Sequence, residues 1–285
     1  MEFSLILVPA VRDGEPEPFH ELIEQIELAE ELGYDAIWLT EHHFSQYGRA
    51  AIPALAAQAI ARTSRIRIGA AVVVLPFHHP IRVAEDWATL DHLSGGRVDV
   101  GIGRGNQPAE FKGFDIPMNE AEQRFVEALK ILKMAWTEES FSFDGSYWKI
   151  PEIKVLPKPI TKPHPPLWQA ALSDYTVEKV INRNINGLIG PYLCPYETLK
   201  ANYFDVWHSL RTEAGQPNLK KLPSDLEEAL EHLSNSEVLL SSFGEKNITS
   251  YLKLKQQELK NFNSKENFSK KDLITEWEKI NTLDC

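Results

Sequence analysis

Apolar residues fall along this chain in short runs that alternate with amphipathic stretches. Leu5, Ile6, Leu7 and Val8 form the first run. Residues 19–32 follow with Leu22, Ile26, Ala29 and Leu32 on one helical face, and Gly33 stands where a left-handed C-terminal cap belongs. The unit then repeats. Residues 36–40 predict a second strand, with a helix beginning near Pro53. Residues 66–75 predict a third, with a helix over 81–93 just after Pro80 and a turn at Ser94, Gly95 and Gly96. Residues 98–102 predict a fourth, whose helix over 120–136 has Asn119 as N-cap and Glu122 three residues later, a variant of the capping box. Strands apolar almost throughout, each followed by a helix, are what a parallel sheet covered by helices requires, so the fold class is α/β.

Between residues 137 and 166 the rhythm breaks. Residues 141–148 alternate about Asp144 and Gly145 and predict a β-hairpin, followed by a Pro-rich run down to Pro165 and Pro166. The rhythm resumes with a strand over 167–171, a helix over 174–183, a strand over 187–192 and a helix over 196–214. After Pro217 one further strand, residues 238–243, precedes Lys- and Asn-rich sequence. Seven strand candidates in all stand where a closed barrel needs eight. The expected architecture is a (β/α)8 TIM-type barrel, incomplete or atypical in its C-terminal units. Residues 1–217 form its core and 218–285 an atypical part of the same domain.

Composition narrows the functions. With 43% hydrophobic and 25% charged residues the chain is an ordinary globular sequence, and a formal net charge of -11 argues against a nucleic-acid partner. Glu2 stands where a signal peptide needs a basic residue, and no apolar run approaches roughly 18 residues. A soluble, cytoplasmic protein without a membrane partner is therefore expected. The 2 cysteines, Cys194 and Cys285, suggest neither a disulfide framework nor a zinc site.

In a barrel the chemistry sits at the C-terminal ends of the strands. The second strand delivers Glu41, His42 and His43, a carboxylate and two imidazoles able to act as acid/base groups or metal ligands. Adjacent residues on an extended segment point oppositely, so His42 and His43 are not expected to share a metal, and His43 reads as a structural hydrogen-bonding residue. Small residues Ala70 and Ala71 end the third strand, where they suit either the approach of a flat ring or plain barrel packing; His78 and His79 beyond them read as surface or capping histidines. The fourth strand ends in Gly101, Ile102, Gly103, Arg104, Gly105 and Asn106, which fails the dinucleotide fingerprint at Asn106. It leaves one guanidinium among glycines, as suited to a phosphate as to a surface ion pair. Ser173, Asp174 and Thr176 at a helix start suit an anion or serve as plain caps. No GxSxG occurs, and Cys194 has no evident activating partner.

Four segments in this order, residues 38–44, 69–76 with His79 and Pro80, 91–97 and 101–105, resemble the bacterial-luciferase-like flavin monooxygenases over residues 1–215 or so. The resemblance implies reduced FMN at the barrel mouth, its phosphate on Arg104, Ser173 and Thr176, and its ring against Ala71 and Val72, where the family often has a non-proline cis peptide. It implies that His42 handles protons beside the flavin, with Glu41 a neighbouring carboxylate. A separate flavin reductase would supply the reduced cofactor, O2 would be the oxidant and an aldehyde or ketone the small-molecule substrate, and the protein would be a homodimer. Glu122 stands where the family commonly has a second phosphate-binding arginine, with Arg124 two residues on, and Gly103 matches the reactive cysteine of the light-emitting members. Members are commonly longer, and the segment after Pro217 does not resemble their last units. Two other functions fit the same barrel: a deazaflavin-dependent oxidoreductase, and a shortened flavin-binding protein without turnover.

Overall fold

Seven strands join one sheet in the order Ser4–Leu7, Ala36–Leu39, Arg67–Ala70, Val98–Gly103, Leu167–Ala170 and Asn186–Leu188, with Val73–Val74 also paired to Val98–Gly103, and every pairing in it is parallel. These features come from a computed structural model that describes residues 3–10, 17–48, 51–171 and 174–188, with Thr249 and Lys253. In chain order the elements are β1 (Ser4–Leu7), α1 (Phe19–Glu31), β2 (Ala36–Leu39), α2 (Ile52–Arg62), β3 (Arg67–Ala70), β4 (Val73–Val74), α3 (Pro80–Ser94), β5 (Val98–Gly103) and α4 (Pro108–Gly113). Next come α5 (Ala121–Thr137), the hairpin strands β6 (Phe141–Asp144) and β7 (Lys149–Ile153), then β8 (Leu167–Ala170), α6 (Asp174–Asn182) and β9 (Asn186–Leu188). The sheet is the parallel half-barrel of a TIM-type fold.

The chain divides into two compact units: Met1–Ala171 with Asn182–Leu188, and Leu172–Ile181 with Ile189–Cys285. The first holds the whole sheet. Of the second, the described residues are 174–181, within α6, with Thr249 and Lys253. The expected boundary after residue 217, the helix over 196–214 and the strand over 238–243 lie outside the described residues.

Periodicity explains the first unit. Strands β2 and β5 are buried at every position, as a sheet covered on both faces demands, whereas β1, at one end of the described strand order, alternates. Helices α1, α2, α3 and α5 lie side by side in that succession. Trp87 on α3 and Trp136 and Phe125 on α5 are fully buried, and Trp136 Nε1 donates to the Ala84 carbonyl at 3.0 Å, so the largest apolar group of α5 also satisfies its one polar atom on α3. Gly95 ends α3 in the left-handed region at φ 66°, and the next amide returns to the Asp91 carbonyl at 2.9 Å.

Residues 91–97 prove to be structural. The fully buried Asp91 carboxylate accepts the amide and hydroxyl of Thr161, both at 2.8 Å, tying the Pro-rich run to α3. The Arg97 guanidinium donates to the carbonyls of Ile66, Thr63 and Ser94. The expected capping box is not formed: a 3-10 turn over Met118–Glu120 precedes α5, Glu120 occupies the cap position, and no side chain bonds there. The hairpin forms with a four-residue connection instead of a tight Asp-Gly turn, because the α5 residue Glu127 accepts the amides of Ser146, Tyr147 and Trp148 at 2.8, 3.0 and 3.3 Å. The third predicted strand is interrupted between β3 and β4, at the cis peptide Ala71–Val72.

Candidate active site

The C-terminal ends of β2, β4 and β5 lie together in the sheet, and the side chains just beyond them build the site. Gly101 lets the strands come this close: a Cβ there would run into the Ala70 carbonyl oxygen. Beyond β2 the chain sends successive side chains apart. The His42 ring bonds through Nδ1 to Glu110 Oε1 at 3.1 Å, and the same oxygen accepts the His43 amide at 3.0 Å. Glu110 is buried on α4, whereas the His42 side chain is 25% exposed. Tyr47 meets the His42 ring edge-on at 4.7 Å, and Gly48, at φ 69°, packs against it so closely that a Cβ would stand 2.6 Å from Cδ2. The ring is thus held on two sides.

His43 turns the other way. Its Nε2 lies 2.8 Å from Glu41 Oε1, and His78 Nε2 lies 2.7 Å from that same oxygen; Glu41 Oε2 accepts the Val74 amide at 3.1 Å. Glu41 is only 5% exposed. Burial alone would raise its pKa, but the hydrogen bonds of His43 and His78, the charge of His78 and the Val74 amide together lower it. Burial pulls the His78 pKa down, and the hydrogen bond and charge of Glu41, helped by Asp86, more than reverse this and raise it. Both shifts run in the direction that favours a charged Glu41–His78 pair. Behind them, Phe77 stacks on Phe114 at 4.8 Å and meets Phe111 edge-on at 4.8 Å, while His43 meets Phe114 edge-on at 4.7 Å.

Arg104, at the tip of β5, is exposed and has no hydrogen bond or ion pair to any other described residue. Gly103 and Gly105 flank it, the latter at φ 81°, and a Cβ on either glycine would run into a neighbouring side chain, Val72 at Gly103 and Val74 at Gly105. An exposed, unengaged cation at a strand tip fits a phosphate monoester. Ala71 and Val72 are half-buried at the end of the interrupted third strand. Arg124 is engaged elsewhere: it bonds to Glu120 Oε2 through Nε at 2.9 Å and lies over the Tyr147 ring at 4.5 Å. Thr176 is a half-buried residue of α6, in the other unit, and Ser173 lies outside the described residues.

The sequence reading missed Glu110. Its helix is only six residues long, too short for periodicity to show, although Pro108 at the first helical position marks its start. His78 is not the surface or capping histidine expected of it; His79 is, its ring accepting the Ile81 amide at 3.3 Å. Among the described residues no helix is long and apolar enough to cross a membrane.

Residues 1–206 match the family described as luciferase-like monooxygenase. Residues 192–273, which apart from Thr249 and Lys253 lie outside the described ones, match the glutamine synthetase catalytic domain. The oxygenase component of the flavin-dependent trigonelline monooxygenase of Acinetobacter baylyi is 32% identical over 197 residues, covering 67% of this chain and 54% of that protein. The monooxygenase RslO1 of Streptomyces bottropensis superposes with a TM-score of 0.72 at 30% identity, covering 77% of this chain and 68% of that one. The oxygenating constituent of the 3,6-diketocamphane monooxygenase of Pseudomonas putida, in complex with FMN, shares the fold, with a TM-score of 0.68 at 24% identity over 77% of this chain and 65% of that one. The chain spans about half the length of the curated relatives it matches.

Proposed function

Because the chain belongs to the luciferase-like monooxygenase family, we propose that it is an oxidoreductase that takes reduced FMN at the ends of β2 to β5 and uses O2 to oxidise a small aldehyde or ketone. The observation that carries this reading is the His42–Glu110 pair. A buried carboxylate accepting from Nδ1–H fixes the tautomer and leaves Nε2 as the nitrogen that exchanges protons with a bound molecule. Tyr47 and Gly48 keep the ring from rotating away. Glu41 holds the tip of β4 through Val74.

When bound, reduced flavin supplies the electrons that activate O2. Arg104 would hold the phosphate, and Ala71 and Val72 would line the ring. The name of the trigonelline relative, an oxygenase component, supports a separate reductase as the source of reduced flavin. We place the protein in the cytoplasm as a homodimer.

The test is a fluorescence titration with FMN, then turnover with a flavin reductase, 18O2 and a panel of aldehydes and ketones. One FMN per chain and a product carrying 18O are expected. Binding of a deazaflavin in preference to FMN would move the protein to the deazaflavin-dependent oxidoreductases. FMN binding with flavin autoxidation and no product across the panel would leave a flavin-binding protein without turnover.

A further inference from the structure

We propose that Glu41, His43 and His78 form a binding site for one divalent transition cation, Zn2+ by the chemistry of its donors. Glu41 Oε1, His43 Nε2 and His78 Nε2 all lie within 4.8 Å of one another, the one such group of three among the described residues. They come from two separate places in the chain, the end of β2 and the segment after β4. Both imidazole nitrogens already point at one carboxylate oxygen, at 2.8 and 2.7 Å. In a tetrahedral zinc site with bonds of about 2.0–2.1 Å, ligand atoms stand about 3.3 Å apart. A cation entering between the three donors needs each nitrogen–oxygen separation to open by only about half an ångström.

Two imidazoles and one carboxylate are a borderline-soft set that suits Zn2+ and leaves a fourth position open, whereas Mg2+ and Ca2+ favour all-oxygen cages and Cu+ favours sulfur. The donors are preorganised. The Val74 amide holds Glu41 Oε2 at 3.1 Å, which turns Oε1 toward the two rings, and His43 is wedged edge-on against Phe77 at 5.7 Å and Phe114 at 4.7 Å. The side chains of Glu41 and His43 are 2% and 9% exposed and that of His78 is 32%, so His78 marks the way in. His42 takes no part, since its ring is turned away to Glu110.

This site goes beyond the proposed flavin chemistry and is tested without flavin. Metal-free full-length protein is titrated with Zn2+ in competition with a chromophoric chelator, and separately with Co2+, whose visible spectrum reports coordination. One equivalent of Zn2+ bound at micromolar affinity or tighter, and the intense visible bands of four-coordinate Co2+, are expected. His78→Gln should weaken Zn2+ binding about tenfold or more, while His20→Gln, on the exposed face of α1, should leave it unchanged. The absence of stoichiometric binding to the wild type, a weak octahedral Co2+ spectrum, or equal affinity in the wild type and His78→Gln would each overturn the proposal. The Co2+ spectrum of the wild type decides the matter even where a variant does not fold.

Discussion

Replacing Glu110 separates its two tasks. Its buried carboxylate accepts two hydrogen bonds, from His42 Nδ1 at 3.1 Å and from the His43 amide at 3.0 Å. Glu110→Ala removes both and leaves a partly buried backbone N–H without an acceptor. An unsatisfied buried donor costs about 1–3 kcal/mol, and the small void adds to this, so about 3 kcal/mol is expected. For a unit of this size that is a fall of roughly 6–12 °C in melting temperature. Glu110→Gln keeps an acceptor oxygen and the volume while removing the charge that favours Nδ1–H toward it; it should cost under about 1 kcal/mol. It should nevertheless slow oxygenation about 10- to 100-fold, part of the factor general acid–base catalysis supplies. The assays are thermal unfolding by circular dichroism and single-turnover product formation from reduced FMN and O2. Equal melting losses in both variants, or Glu110→Gln turning over like the wild type, would refute the assignment of Glu110 as the residue that positions His42.

Arg104→Ala should weaken FMN binding about 10- to 100-fold, the worth of one charge-assisted contact of about 1.5–3 kcal/mol, without lowering the melting temperature, because the side chain bonds to no described residue; fluorescence titration reads the first and calorimetry the second. Glu30 has its pKa lowered to about 2: partial burial alone would raise it, but the amides of Ile66, Ser64 and Arg65 and the Ser64 hydroxyl outweigh that. A carboxylate with a lowered folded-state pKa contributes stability that is present above about pH 4.5 and is lost as pH falls from there toward 2. Discounted for solvent screening this is about 1–2 kcal/mol. Urea unfolding at pH 6 and pH 3 should show the wild type losing roughly half of that more than Glu30→Ala, since pH 3 still lies above the folded-state pKa. Asp91→Ala frees the Thr161 amide and hydroxyl and should destabilise by about 2–4 kcal/mol, with a changed near-ultraviolet spectrum as the Pro-rich run loosens from α3.

Much of the fold was legible because a parallel barrel writes its elements in two distinct periods. Leu22, Ile26 and Ala29 mark the buried face of α1 in the sequence as they do in the structure, and β2 and β5 read as uniform apolar runs because both of their faces are covered. Side-chain partnership was not legible. Nothing in the run Glu41, His42, His43 says that the two rings will part to Glu110 and Glu41, which depends on an α-helix 67 and 68 residues downstream. His78 and His79 are alike in sequence and opposite in use, because His79 lies at the cap of α3 while His78 sits one residue earlier, facing the buried carboxylate. The capping box at Asn119 failed for a local reason, a 3-10 turn that moves the helix start by one residue. Arg124 stands in the sequence two residues beyond the place of a second phosphate-binding arginine, yet Glu120, one helical turn before it, lies within reach and takes it.

The central claim is that the tips of β2 to β5 hold a flavin phosphate at Arg104 with His42 beside the ring. A crystal structure of the protein grown with FMN tests it most directly. Electron density for the phosphate within hydrogen-bonding distance of the Arg104 guanidinium, and for the ring between Ala71–Val72 and His42, is the result expected. Density for FMN at any other place on the molecule, with Arg104 still unengaged, would contradict it.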